Sequence, residues 1–335
     1  ENSNEKDRYK KIFYHAYKIE AYFVEMFLKS YRKAPKRITL DLDSTDDIIH
    51  GNQEGRFYHG YYGNYCYLPL YIFCGDHLLA AKLRTSDRDG ADGALDEVKR
   101  IVRDIRKEWP DVEILLRGDS GFCRENLMAY CEENPGIYYL FGLAKNSRLI
   151  NKINKQIKKA ERKYKKTKKP ARYFKEFKYS TLKTWCRKRR VIGKAEHLDK
   201  GENPRFIVTN LPKGEMHGKD LYEKVYCARG EMENRIKEQQ LQLFADRTST
   251  ETMRGNQLRL WFSSVAFVIV SAIRRLLLSG TDFATAQCST IRNKLFKIGA
   301  LITVSVRRVV VQMSESYPYK KYFEQAFHRL KELKE

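Results

Sequence analysis

The stretch Arg37-Ile38-Thr39-Leu40-Asp41-Leu42-Asp43-Ser44-Thr45 alternates apolar and polar side chains. In an extended chain Ile38, Leu40 and Leu42 fall on one side and Thr39, Asp41 and Asp43 on the other. The segment therefore predicts a strand with one buried face and a carboxylate at its end. Two more apolar runs follow, at 65–73 and 78–83, separated by Cys74-Gly75-Asp76-His77, which has the composition of a hairpin turn. Three consecutive strands are expected. Turn residues at 87–93 then lead into a helix with Leu95, Val98, Ile101, Val102 and Ile105 on one stripe, ended by Trp109-Pro110. Residues 112–116 read as a short strand that runs into Arg117-Gly118-Asp119-Ser120-Gly121. A helix from about Arg124 and a strand at 137–143 complete the pattern. Hairpin-connected strands followed by alternating helix and strand predict an α/β fold, a mixed sheet with helices on both faces. Asp43 and Asp119 then sit at strand ends, where open α/β sheets bind ligands.

The chain has 335 residues, 42% of them hydrophobic and 13% aromatic, ample for one large core or two smaller ones. Its 32% charged content and evenly spread aliphatic residues argue against a disordered or fibrous protein. Lys and Arg outnumber Asp and Glu by 65 to 42, a net charge of +23. Folding gains nothing from such self-repulsion, so a polyanionic partner is expected. The charge is concentrated: between 145 and 200, twenty-two Lys and Arg residues face only Glu161, Glu176, Glu196 and Asp199. Lys165, Lys166, Lys168 and Lys169 belong to a nearly all-basic run at 152–169. Arg187, Arg189 and Arg190 follow, with Tyr173, Phe174, Phe177, Tyr179 and Trp185 interleaved. Cations that neutralise phosphates beside rings that stack on bases predict a DNA-binding surface. Extended runs at 173–179, 187–192 and 205–209 predict that this block is a β-rich insertion.

Seven cysteines are scattered with no C-x-x-C pair, which removes zinc-ribbon and thioredoxin spacings and points to a reducing, intracellular setting. The longest apolar run, 260–273, is too short for a membrane span and reads as a buried core helix. A cytoplasmic protein without membrane association is expected.

Once the partner is a nucleic acid, three carboxylates stand out: Asp43, Asp119 and Glu233. Cleaving a phosphodiester requires neutralising charge on the attacking and leaving oxygens. Two divalent ions about 4 Å apart do this, and Mg²⁺ prefers carboxylate oxygens. Asp41 competes with Asp43, since both face the same side of the strand. Glu231 competes with Glu233, but Tyr226, Arg229, Glu233 and Lys237 form one helical stripe and Glu231 lies off it. The plain alternatives are turn-capping aspartates and an ion-pair ladder on a solvated helix. His50 and His59 flank an aromatic run at 57–62, where a loop role is expected and approach to substrate is the alternative. Asp87-x-Asp89-Gly90-x-Asp92 lacks the bidentate Glu of a calcium loop, and Ser120 lacks ordered His and Asp partners for a triad.

These motifs resemble the DDE transposases of bacterial insertion sequences, in particular the group with a large insertion before the final glutamate. The likeness rests on Asp43-Ser44-Thr45 after a strand, Asp119 in Gly118-Asp119-Ser120-Gly121-Phe122, and Tyr-x₂-Arg-x₃-Glu at Tyr226, Arg229 and Glu233. Leu243-Phe244-Ala245-Asp246-Arg247-Thr248-Ser249 and Asn256-Gln257-Leu258-Arg259 add to it. The resemblance implies an RNase H-like core in which Asp43, Asp119 and Glu233 hold two Mg²⁺ ions, for which Mn²⁺ can substitute. Tyr226 and Arg229 would contact DNA. The family signature often carries Lys seven residues after the Glu. Here Gln240 stands there, and Lys237 is the nearest replacement.

The implied activity is cleavage at element ends and strand transfer into target DNA, by a homodimer that synapses two terminal inverted repeats. The implied division is a helical remnant of a DNA-binding region at 1–36, the first part of the catalytic core at 37–144, the insertion at 145–215, and the second part with C-terminal helices at 216–335. A catalytically silent DNA-binding descendant and an RNase H-like nuclease without strand transfer are the rival readings.

Overall fold

In the computed structural model, which describes residues 13–333, the alternating stretch forms β1 (Arg37–Ser44), an inner strand of the main sheet. A hairpin of β2 (Leu70–Cys74) and β3 (His77–Lys82) pairs with it antiparallel. On its other side lie β4 (Glu113–Gly118) and β5 (Ile137–Leu143), both parallel to it. The order β3-β2-β1-β4-β5, three antiparallel strands and then two parallel ones, is the RNase H-like arrangement. The crossovers are helices, α2 (Ala94–Glu108) before β4 and α3 (Glu125–Glu133) before β5, as parallel connections require. The apolar run expected at 65–73 is broken at Leu68-Pro69, because proline cannot donate to a ladder. Its first part, Asn64–Tyr67, joins Asp47–Ile48 and Phe57–His59 in a small three-stranded sheet.

The basic block, expected from the sequence to be β-rich, opens instead with a 21-residue helix, α4 (Ser147–Thr167). Its buried positions Leu149, Ile153, Ile157 and Ala160 recur at helical spacing, and the Asn146 side chain accepts from the Leu149 N–H to cap its start. Lys168, in the left-handed region at φ 53°, ends it. The expected strands follow as β6 (Ala171–Tyr179), β7 (Arg189–Leu198) and β8 (Arg205–Thr209). They continue the central sheet rather than forming one of their own: β8 pairs with β5, β7 with β8, and β6 with β7.

The two faces of the sheet divide the side chains as their period of two dictates. Ile38, Leu40 and Leu42 pack with Ile114 and Leu116 against α2, α3 and α4. On the opposite face Tyr71 and Phe73 meet Phe267 of a long helix, Met253–Leu277, while Leu115, Leu140, Ile192 and Ile207 meet Leu221 and Tyr222 of α5, a continuous helical rod over residues 218–242. The helix Met253–Leu277 is long and apolar enough to cross a membrane, and here it buries Leu260, Trp261, Phe267 and Val270 in a core. α1 (Ala16–Lys29) lies along β3 at the sheet's edge, with Phe23 in one core and Val24 and Phe27 in the other, so that edge is covered. The helix expected from Lys6 is described from Ala16, and residues 1–12 lie outside the described part.

Candidate active site

β1 and β4 run parallel in a register that matches Asp41 with Arg117 and Leu42 with Gly118. One residue beyond that register stand Asp43 on β1 and Asp119 just after β4, near enough for the Asp119 charge to act on the Asp43 carboxyl. The inner pair, Asp41 and Arg117, is a bidentate ion pair at 2.5 and 2.7 Å, and both residues are buried. Arg117 also donates to the Val225 carbonyl of α5, which ties the rod to the sheet. Asp41, the rival candidate, is thus consumed in a structural pair, whereas Asp43 and Asp119 stand at the open end.

Each aspartate keeps one oxygen occupied locally. Asp43 Oδ1 accepts from the Ser44 N–H at 3.0 Å, and Asp119 Oδ1 accepts from the Gly121 N–H at 2.8 Å, capping the turn at Ser120–Phe122. Two glycines let the loop close. A Cβ on Gly118 would press on the Phe122 ring, and one on Gly142 would lie 2.6 Å from the Tyr226 hydroxyl and 2.8 Å from the Ser120 nitrogen. Tyr226 of α5 therefore reaches the Asp119 turn itself.

One helical turn on, Arg229 bridges the remaining carboxylates, donating to Asp43 Oδ2 at 3.3 Å and Glu233 Oε1 at 2.9 Å. Burial pushes the Asp43 carboxyl up to about 6; Asp119 and Glu233 act in the same direction, and Arg229 and the Ser44 N–H oppose them. Glu233 is 48% exposed at its side chain, on the solvent rim. Glu231, its competitor, is exposed and makes no side-chain bond among the described residues. The stripe of Tyr226, Arg229 and Glu233 thus faces the strand ends, and Lys237 continues it as an exposed cation.

No three His, Cys, Asp or Glu side chains among the described residues are gathered closely enough to enclose a metal ion; Arg229 occupies the space between Asp43 and Glu233. The donor set nevertheless suits a hard divalent cation. It is carboxylate oxygen only, two of its members follow directly on the paired ends of adjacent strands, and Asp43 carries a burial cost that a cation relieves.

Several supporting residues escaped the sequence reading. Arg84, buried, donates to the Leu68 and Asp92 carbonyls and to Ser44 Oγ, which in turn donates to the Gly90 carbonyl at 2.6 Å. This clamp fixes the chain just after Asp43. Gln240, at the signature Lys position, donates to Asp47 Oδ1 at 2.8 Å and to the Asp46 carbonyl. Burial pushes the Asp47 carboxyl up to about 7, and its Oδ2 has no partner. The folded state therefore keeps a proton that the unfolded state releases near pH 4, and stability falls as pH rises through that window to 7. Asp47→Asn should raise the melting temperature at pH 8, by a stabilisation on the order of 1–4 kcal/mol, and leave it nearly unchanged at pH 4. Thermal melts at the two pH values check this.

The basic residues divide. Lys165, Lys166, Lys168 and Lys169 are exposed at the end of α4, with Lys165 paired to Glu161. Arg187 is exposed on one side of Glu132. Arg189 and Arg190, expected on the DNA surface, are not on it. Arg189 is 3% exposed and is gripped by Glu125 and Glu132 at 2.6–2.9 Å. Arg190 spends its donors on Glu176 and on the carbonyls of Leu211, Pro212 and Met216. Inward-facing strand positions made these two structural.

The chain is similar to a solved structure, a cryo-EM structure of the piggyBac transposase synaptic complex with hairpin DNA, at a TM-score of 0.46 and 12% identity. The likeness covers 78% of this chain and 52% of that one, so this chain spans about half the length of that transposase. No curated protein matches it. Residues 2–335 match the family model described as transposase DDE domain group 1, and the chain belongs to that family.

Proposed function

We propose that the chain is the catalytic part of a bacterial insertion-sequence transposase, of the group with a large insertion before the final glutamate. It cuts DNA at the element's terminal inverted repeats and joins the freed 3′-hydroxyl to target DNA, acting as a homodimer on the nucleoid in the cytoplasm. The observation that supports this reading is the parallel pairing of β1 and β4, which ends one residue before Asp43 and Asp119, with Glu233 linked to Asp43 through Arg229. Asp43, Asp119 and Glu233 would hold two Mg²⁺ ions, or Mn²⁺, which when bound supply charge neutralisation at the attacking and leaving oxygens. The chain's own residues supply position. The Asp41–Arg117 pair and the Arg84 clamp hold the ends of β1 and β4, and Tyr226 and Arg229 present a hydroxyl and a guanidinium to the phosphate beside them.

The outer face of α4 carries Lys152, Lys155, Lys158, Lys159, Arg162 and Lys163, all exposed, while its inner face packs on the side of the sheet away from the carboxylates. DNA held there is a flanking segment, not the strand being cut. Replacing those six cations with Gln should weaken duplex binding and flatten its dependence on salt by about 0.9 in log–log slope for each phosphate no longer neutralised. Affinity measured across a salt series checks this.

A strand-transfer gel separates the readings. Labelled element ends, plasmid target and Mg²⁺ should yield joined product. Cutting without joining would indicate a nuclease, and binding without cutting a silent descendant.

A further inference from the structure

Between β1 and β2 the chain raises a hairpin of Phe57–His59 and Asn64–Tyr67, the aromatic run that no part of the cleavage reading uses. Its register puts Tyr58 opposite Tyr65, with ring centroids 5.5 Å apart and edge to face. The Arg56 guanidinium lies 3.8 Å over the Tyr65 ring. Tyr61 sits in the turn between the strands. These rings point to water: Tyr58 is 59% exposed, Tyr61 87% and Tyr65 43%. The backbone beneath them is firmly held. Tyr67 donates through its hydroxyl to the Glu54 carbonyl, Ser86 Oγ donates to the Phe57 carbonyl at 3.0 Å, and the Glu54 N–H donates to the Glu251 carbonyl at 2.8 Å. The hairpin also adjoins the end of β1 that carries Asp43: Asp47–Ile48, which follows three residues after β1, pairs with Tyr67 and Cys66 of its second strand.

Exposed rings on a rigid support, one already stacked by a guanidinium, next to a site for phosphodiester chemistry, suit flat aromatic ligands. Three separate rings offer far less than the roughly 1,600 Å² of a stable protein interface, which disfavours a protein partner. We propose that this hairpin is a stacking platform for unpaired nucleobases of the DNA strand at the cleavage site, with Tyr58, Tyr61 and Tyr65 as the rings the bases meet. The proposal rests on the reading that Asp43, Asp119 and Glu233 cut DNA, and it adds that the strand is unpaired there.

The test compares two single-stranded probes in EDTA, so that no cutting occurs: an oligothymidylate and an abasic oligomer of the same length and charge. The wild-type chain should bind oligothymidylate at least about 10-fold tighter, since each stacked base is worth roughly 5- to 150-fold. The triple variant Tyr58→Ala, Tyr61→Ala, Tyr65→Ala should bind oligothymidylate no better than the abasic oligomer, whose own affinity stays the same. Tyr61→Trp should keep the preference. Equal binding of both probes by the wild type, an equal loss for both in the triple variant, or a changed oligomeric state in that variant would overturn the proposal. Melting curves guard against misfolding, and exposed rings predict unchanged midpoints. Asp119→Asn should retain the base preference while failing to cut. A variant that still cuts would defeat the catalytic reading without touching the stacking result.

Discussion

Asp119→Asn should lower Mg²⁺-dependent cleavage of end-containing DNA by roughly 1,000-fold or more, with duplex affinity changed by less than about twofold. The substitution is nearly isosteric, and the amide oxygen of the new side chain can still accept from the Gly121 N–H, so the Ser120–Phe122 turn is kept. What is lost is one negative charge that acts on Asp43. A carboxylate placed against phosphate hinders binding, so its removal should not weaken the grip on DNA; it removes only a proposed metal ligand. Paired measurements of cleavage rate and of affinity in EDTA distinguish this from a folding defect.

The strand-end position of Asp43 and the shared helix face of Tyr226, Arg229 and Glu233 were legible because short-range patterns suffice to place them. The period of two in Ile38, Leu40 and Leu42 fixes which face Asp43 occupies, and the helical spacing of Tyr226, Arg229 and Glu233 fixes one face of α5. α4 was hidden because lysines dominate its outward face, leaving Leu149, Ile153, Ile157 and Ala160 to carry the helical period. Arg189 and Arg190 were misassigned for a different reason. Their partners Glu125, Glu132 and Glu176 are set by sheet pairing and helix packing across 14 to 64 positions, and composition counts all cations alike. Gln240 shows the same limit: its partner Asp47 lies 193 residues away.

The burial of Arg189 has its own large consequence. Arg189→Ala should destabilise the fold by about 3–5 kcal/mol, because it strips the buried cation from Glu125 and leaves Glu132 only the exposed Arg187. The Arg189 side chain keeps the Glu125 carboxyl down at about 2, so the loss is largest near neutral pH and shrinks as acid protonates the stranded carboxylates. DNA affinity of the remaining folded protein should be unchanged, whereas a phosphate-binding role would show the reverse pattern. Denaturant titration alongside a binding isotherm makes the comparison.

Three carboxylates distant in sequence are proposed to bind divalent metal together, and iron-directed cleavage of the chain reads that out. Fe²⁺ exchanged into the Mg²⁺ site, with ascorbate and peroxide added, generates radicals that cut the polypeptide wherever the ion sits. Backbone breaks should cluster near residues 43, 119 and 233, be suppressed by excess Mg²⁺ and be absent in Asp43→Asn. Breaks confined to other positions, or none that Mg²⁺ competes away, would contradict a shared metal site.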